Sequence, residues 1–294
     1  MANRFTQVVK AAASYDLTTL ARAKIELGLE QSDVSKNAYI SAAITEVSAA
    51  IANYCNRVFP VERISDTFYL LSDDANFNTD SAISPLELSR WPVVAILSLT
   101  EDGTALVENT DYLVDYDAGQ IFRLNTTLRS LRPWSCAPII VTYDAGFGVR
   151  AVEPGTIPAT PYALTAAKTA SFFADEGVTF NSDGSALTPV ASSPVAGQYT
   201  VSSVGLYTFA AADTGKAVTL QYAWNNLPAD LAGITRRLIT MRYHQKDRDP
   251  MLMSRSQPAT GEERWWVGGI PGQDGTFPPD IEGQLDQYRM PSVG

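Results

Sequence analysis

Apolar residues recur at helical spacing in two long stretches of the chain. In the first stretch, Lys36 to Arg57, they fall at Ile40, Ile44, Val47, Ile51 and Tyr54. The second stretch opens at Leu227-Pro228 and has apolar residues at Leu231, Ile234, Leu238 and Met241. Alternating steps of about three and four residues place each set on one face of an amphipathic helix. We expect the two faces to pack together in one helical core.

A shorter helix is predicted before the first stretch, over Asp16 to Leu27. Thr18 or Thr19 can cap its N-terminus, and Gly28 stands where many helices end in a left-handed residue. Ser32 and Asp33 are candidate caps for the long helix that follows. The sequence therefore predicts two antiparallel N-terminal helices and one C-terminal helix.

The middle of the chain has a different pattern, in which aromatic and β-branched residues lie between turn residues. This pattern is typical of strands, which we predict at residues 67–71, 86–99, 112–114, 120–124 and 139–143. Asp102-Gly103 marks a hairpin turn, because glycine adopts positive φ without strain. The segment Val152 to Pro161 is rich in proline and glycine, so we predict a stiff linker there.

A weak internal repeat runs through the strand-rich region. The first copy has Asp102-Gly103, Tyr112-x-Val114, Gly119-x-x-Phe122 and Val141-x-Tyr143 in this order. The second copy has Asp183-Gly184, Tyr199-x-Val201, Gly205-x-x-x-Phe209 and Val218-x-x-x-Tyr222. Strand–turn–strand sequences resemble one another by chance because turn chemistry is restricted. The repeat nevertheless suggests two similar small β modules.

The predicted fold class is α+β, with a small helical bundle, a β module, an inserted second β module and an extended C-terminal tail. We place N-terminal helices at 1–65, the first β module at 66–150 and the inserted module at 151–226. The C-terminal core helix is placed at 227–250 and the tail at 251–294. In the tail, Arg264, Trp265, Trp266 and Val267 are candidate docking residues, since adjacent tryptophans in a polar segment favour anchoring on a partner. Packing of these tryptophans on the chain's own core is the alternative.

Composition narrows the classes of function. The formal net charge of −10 argues against tight binding to nucleic acid, which depends on Lys and Arg neutralising phosphates. No long apolar run or signal peptide is recognisable, so we expect a protein made in the cytoplasm and not in a membrane. Cys55 and Cys136 are too few for a disulfide framework.

Residues for catalysis or metal binding are sparse. His244 is the only histidine, and it stands among cationic residues at a helix end. The loop with Asp73, Asp74, Asn76, Asn78 and Asp80 offers oxygen ligands for Ca²⁺, but a solvated acidic turn fits its spacing better. We therefore predict no enzyme activity and no cofactor or metal.

Several ordered motifs together resemble one family of proteins. They are LTTLARAKIELGL, IANYCNRVFP, LSRWPVVAILSLTEDGTAL, DYLVDYDAGQIF, IIVTYDAGF and LPADLAGITRRLITMRYHQKDRDP. This set is similar to the head-to-tail connectors of long-tailed bacteriophages over Leu17 to Gly148 and Leu227 to Pro250. The chain departs from that family by the insertion from about Arg150 to Asn226 and by its long C-terminal segment.

The resemblance implies a structural protein in the neck of a virion, made in the host cytoplasm. It implies a dodecameric ring of copies beneath the portal protein, with a tail-side completion or tail protein below. Double-stranded DNA would pass through the channel without sequence-specific binding. Two other functions stay open: a carbohydrate- or host-binding module, which Tyr199, Tyr207 and Trp224 would serve if exposed, and, with least support, a cell-wall hydrolase.

Overall fold

The computed structural model describes residues 3–70, 85–135, 137–245, 254–257, 261–264 and 277–290. The fold is α+β, as predicted, with several antiparallel sheets and few helices. Its contacts divide the chain into two compact units. The β unit comprises Met1–Ala13 and Pro60–Asn226, and the helical unit comprises Ser14–Phe59 and Leu227–Gly294.

The helical unit contains the three predicted helices and a further helix that the sequence pattern did not predict. Its helices are α1 (Leu20–Glu26), α2 (Asn37–Tyr54), α3 (Ala229–Gln245) and α4 (Pro279–Leu285), the last followed by a 3-10 turn at Asp286–Tyr288. Helix α2 packs against α3, and α1 packs against both. A hairpin of two strands, Ser254–Gln257 and Gly261–Arg264, lies in the segment between α3 and α4.

The N-terminal cap predicted for α1 is present, whereas the caps predicted for α2 are not. The Thr19 hydroxyl caps α1 by accepting from the backbone N–H of Arg22 at 3.4 Å, and Gly28 beyond the helix has a φ of +67°. Ser32 and Asp33 do not cap α2, contrary to our expectation. The N-cap of α2 is Lys36, and the Asp33 carboxylate instead accepts from the N–H of Ser35 in the connecting turn.

The first β module follows α2 along the chain. Its strands are β2 (Glu62–Tyr69), β3 (Leu86–Glu87), β4 (Val93–Glu101), β5 (Thr104–Ala105), β6 (Tyr112–Asp115), β7 (Gln120–Arg123) and β8 (Ile139–Ala145). One sheet has the order β2-β8-β4-β5, and a small second sheet has the order β3-β7-β6. The N-terminal strand β1 (Asn3–Lys10) adds to the free edge of β2 in antiparallel register.

The second β module comprises β9 (Gly148–Thr156), β10 (Ala163–Thr165), β11 (Phe172–Phe180), β12 (Thr188–Pro189), β13 (Gln198–Val201), β14 (Leu206–Phe209) and β15 (Ala217–Asn225). Its larger sheet has the order β11-β15-β9, and its other sheet has the order β10-β14-β13-β12. The two modules have separate apolar cores, one around Tyr143 and one around Tyr222.

Two segments of the β unit differ from the sequence expectations. Residues 3–10 do not belong with the N-terminal helices but form strand β1. The first half of the predicted proline-stiffened linker, residues 152–156, belongs to strand β9, with Pro154 paired opposite Thr219. Proline is tolerated because β9 is an edge strand, so its missing N–H does not break an interior ladder.

Candidate functional site

The apolar faces predicted for the two long helices lie inside the helical unit. The buried members are Ile40, Ile44, Val47, Ile51, Leu231, Ile234 and Leu238, while Tyr54 and Met241 are half-buried. The Tyr39 hydroxyl donates to the carbonyl of Arg242, and the Arg242 guanidinium pairs with Glu46. These contacts join α2 to α3 along their surface edges.

The C-terminal residues 277–290 fold onto α2 and α3, contrary to the prediction of an extended tail. Ile281 and Leu285 are buried, and the backbone N–H of Met290 donates to the carbonyl of Cys55 at 2.9 Å. The Tyr54 hydroxyl donates to Asp286 at 2.8 Å, and burial together with this bond raises the pKa of Tyr54 to about 12. Both ends of the 31-residue segment between Gln245 and Phe277 are therefore anchored in the helical unit.

Two further contacts hold residues 277–290 to α3. The Tyr288 hydroxyl donates to the Asp230 carboxylate at 2.6 Å, which lowers the pKa of Asp230. Arg237 forms an ion pair with Asp280 at 2.7 Å. Pro279 at the start of α4 and Asp280 and Glu282 in its first turn were the signals from which this helix could have been predicted.

The predicted docking residues fall where the structure describes little or nothing. Arg264 ends the second strand of the C-terminal hairpin, and its backbone pairs with Ser254. Trp265, Trp266 and Val267 lie outside the described residues, as does the acidic loop from Asp73 to Asp80. Their roles stay predictions.

The weak repeat corresponds to a duplicated arrangement of strands. β2, β3, β4, β6, β7 and β8 of the first module match β9, β10, β11, β13, β14 and β15 of the second in order and pairing partner. The match extends to single hydrogen bonds between equivalent loops. Leu88 donates to the carbonyl of Gly119 at 2.9 Å, and Ala166 donates to that of Gly205 at the same distance.

A buried tyrosine–carboxylate pair occurs at the same place in each module. Tyr143 on β8 stands opposite Ile64, and its hydroxyl donates at 2.8 Å to Asp66, two residues further along β2. Tyr222 on β15 stands opposite Ala151, and its hydroxyl donates at 2.6 Å to Glu153, two residues further along β9.

The partners of the two carboxylates are also equivalent. The backbone N–H of Ser89, two residues after β3, donates to Asp66 at 2.8 Å. That of Ala167, two residues after β10, donates to Glu153 at 3.1 Å. Burial raises the pKa of both tyrosines, that of Tyr222 to about 12. In each module the carboxylate thus accepts from a tyrosine of its own sheet and from the backbone after a strand of the other sheet, and so connects the two sheets.

The aromatic residues proposed for carbohydrate binding are not exposed. Tyr199 and Tyr207 are buried, and both hydroxyls donate to Asp175, at 2.5 and 3.0 Å. Trp224 is half-buried beneath the Lys168 amine, which lies 4.8 Å from its ring. The expectation of an exposed aromatic platform is therefore wrong for the two tyrosines.

Among the residues that the structure describes, no group of three or more His, Cys, Asp or Glu side chains could hold a metal ion. His244 is exposed at the end of α3 and contacts the ring of Tyr243 edge-on. In the described part of the chain, no helix is both long and apolar enough to cross a membrane.

Comparison with known proteins gives only distant likenesses. No protein-family model and no curated protein matches the chain. One similar solved structure is the neck of an empty gene transfer agent particle computed with C6 symmetry, at 11% identity and a TM-score of 0.38. Another is the virion of a native gene transfer agent particle, at 11% identity and a TM-score of 0.37. Each alignment covers 98% of this chain and 97% of the other, but both TM-scores are too low to establish a shared fold.

Proposed function

We propose that the chain is a structural protein of the neck of a phage-like particle, where copies form a ring between head and tail. Its role is to hold the portal protein and a tail-side protein together while double-stranded DNA passes through the ring. The net charge of −10 suits this role, because like charges let DNA pass without adhering. We expect no enzyme activity and no cofactor.

The observation that supports this proposal is where the resembling motifs fall in the fold. They coincide with α1, the end of α2, β4 with its hairpin, the β6–β7 turn, β8 and α3. Several of their residues are required by the backbone. At Gly119, whose φ is +66°, a Cβ atom would lie 2.8 Å from Trp91, and at Gly146 it would lie 2.5 Å from the carbonyl oxygen of Pro60. The likeness to the connectors thus rests on residues that determine the fold.

The helical unit also presents apolar side chains to solvent. Ile25 on α1 is 69% exposed, and Val34 in the α1–α2 turn is 72% exposed. Exposed apolar side chains mark protein–protein interfaces where they form a larger patch, so these two residues are candidates for such a contact. In the proposed ring, this surface meets a neighbouring copy or the portal, and the two tryptophans of the C-terminal segment remain candidates for a further contact.

The proposal is tested by mixing the purified chain with portal rings and measuring the mass of the complex by sedimentation. We expect a ring of adaptor copies on each portal, visible by electron microscopy. Ile25→Arg combined with Val34→Arg should weaken this binding but leave the fold intact, because both side chains are exposed. Val195→Arg, on an exposed site of the second module, is the matched control. A chain that never binds portal contradicts the proposal.

A further inference from the structure

The N-terminal strand β1 has no equivalent in the second module. In the first module, β2 pairs with β8 on one side and with β1 on the other. In the second module, the equivalent strand β9 pairs with β15 and is the edge of its sheet. Val152 on that edge is 61% exposed. The second module nevertheless encloses its own core and keeps its tyrosine–carboxylate pair, so neither feature requires an added strand.

Strand β1 buries none of its residues in the first module. All eight of its residues are exposed. It is held by the backbone ladder to β2 and by a few side-chain contacts. The Thr6 hydroxyl donates to Asp66 at 2.6 Å, Arg4 donates to the carbonyl of Glu87 at 2.8 Å, and Lys10 donates to that of Phe173 at 2.5 Å. Phe5, at 63% exposure, contacts Tyr69 edge-on.

The chain leaves β1 by a short connection. Leu17 is buried in the helical unit, where its N–H donates to Ser48 at 3.0 Å, and Asp16 accepts from Thr45. Only Ala11 to Tyr15 therefore separate the end of β1 from the anchored segment that starts at Asp16, a span of roughly 17 Å when extended. The boundary between the β unit and the helical unit lies within this stretch, between Ala13 and Ser14.

We propose that β1 is an exchangeable arm, which leaves its own β2 and pairs with β2 of a second copy of this chain in the assembled ring. Exchange of an identical segment keeps every hydrogen bond that the arm makes within one chain, so it costs little and links the copies. A short connecting segment favours such exchange. The inference rests on one part of the proposed function, namely that copies of the chain assemble with one another.

A disulfide test can report the exchange directly. Phe5 and Thr67 are register partners on β1 and β2, and cross-strand Cα atoms lie about 4.5–5.5 Å apart, which suits a disulfide. Two single variants, Phe5→Cys and Thr67→Cys, are co-expressed with tags of different mass, each with Cys136→Ser. Cys55 is buried and is left in place. The double variant Phe5→Cys/Thr67→Cys is made separately to show that the two thiols can join.

After mild oxidation of the assembled protein, exchange predicts a disulfide between the two different chains and, for the double variant, a ladder of linked copies. Phe5→Cys mixed with Thr100→Cys on β4 is the control for random collision. Sedimentation of the same samples reports assembly separately, and the melting temperature reports folding.

The other outcomes contradict the exchange in different ways. Assembled protein in which the double variant forms only a disulfide within one chain overturns the exchange and leaves the ring standing. Protein that stays monomeric with that same disulfide contradicts both the exchange and the proposed ring. A disulfide between Phe5→Cys and Val152→Cys of different chains would mean that the arm covers β9 of a neighbour, which also overturns the exchange.

Discussion

The two β modules have the same plan but different surroundings. In the first, the carboxylate of Asp66 is fully buried and accepts from Thr6, Ser89 and Tyr143. In the second, Glu153 is half-buried and accepts from Ala167 and Tyr222. Because both modules contain the tyrosine–carboxylate pair, the pair belongs to the module itself, whereas β1 occurs only in the first module and adds one hydrogen bond, from Thr6 to Asp66.

The largest expected effect comes from removing the buried carboxylate. Asp66→Ala leaves the buried Ser89 N–H without its acceptor and the Tyr143 hydroxyl with only the Ser89 hydroxyl as an acceptor, so we expect a loss of about 3 kcal/mol in the free energy of unfolding. Glu153→Ala should cost about 1 kcal/mol, because water can reach the groups that it leaves. Urea unfolding measures both, with Asp117→Ala in an exposed turn as control. Equal losses in the two modules would contradict the difference in burial.

A smaller loss of stability is expected from substitutions at Gly119 and Gly205, which lie in the turns of equivalent hairpins of the two modules. At Gly205, whose φ is +77°, a Cβ atom would lie 2.6 Å from Phe172, and Gly119 is similarly enclosed by Trp91. Gly119→Ala and Gly205→Ala should each cost about 2 kcal/mol from backbone strain and crowding. Gly103→Ala is the matched control, because its φ is +74° but no atom lies within 4 Å, so only about 1 kcal/mol is expected. Equal costs at all three would show that crowding is unimportant.

The smallest effect concerns alkaline pH. Burial raises the pKa of Tyr143 and Tyr222 above the value of about 10 for an unfolded chain. The stability that comes from their neutral hydroxyls is therefore fully present below pH ~10 and is lost as pH rises through the folded pKa. Tyr222 should ionise in the folded protein at about pH 12, whereas Tyr143 should ionise only on unfolding. Ultraviolet absorbance of Tyr222→Phe and Tyr143→Phe, compared with circular dichroism, would check this order.

Elements with strong local signals were predictable from the sequence. Helical spacing identified α2 and α3, and Asp102-Gly103 identified the hairpin between β4 and β5, where both residues have positive φ. The repeated Tyr and Gly positions indicated two similar modules, which the matching strand pairings confirm. These features follow from side-chain period and turn chemistry, which are local properties.

Other elements depend on tertiary partners and were missed. Strand β1 exposes both of its faces, so it has no alternating pattern, and it exists because β2 offers an open edge. Strand β9 carries Pro154 and Gly155, which indicate a linker until its edge position is known. The pairing of Tyr143 with Asp66 joins residues 77 positions apart, and no spacing rule could identify it.

The most direct test of the comparison is deletion of residues 1–10 followed by hydrogen exchange of the remaining chain. If the first module keeps its fold without β1, as the second module indicates, the amides of β8 stay protected. Only the amides of β2 that donate to β1 then exchange faster. Loss of protection throughout β8 would mean that β1 is part of the core of the first module, and the equivalence of the two modules would fail.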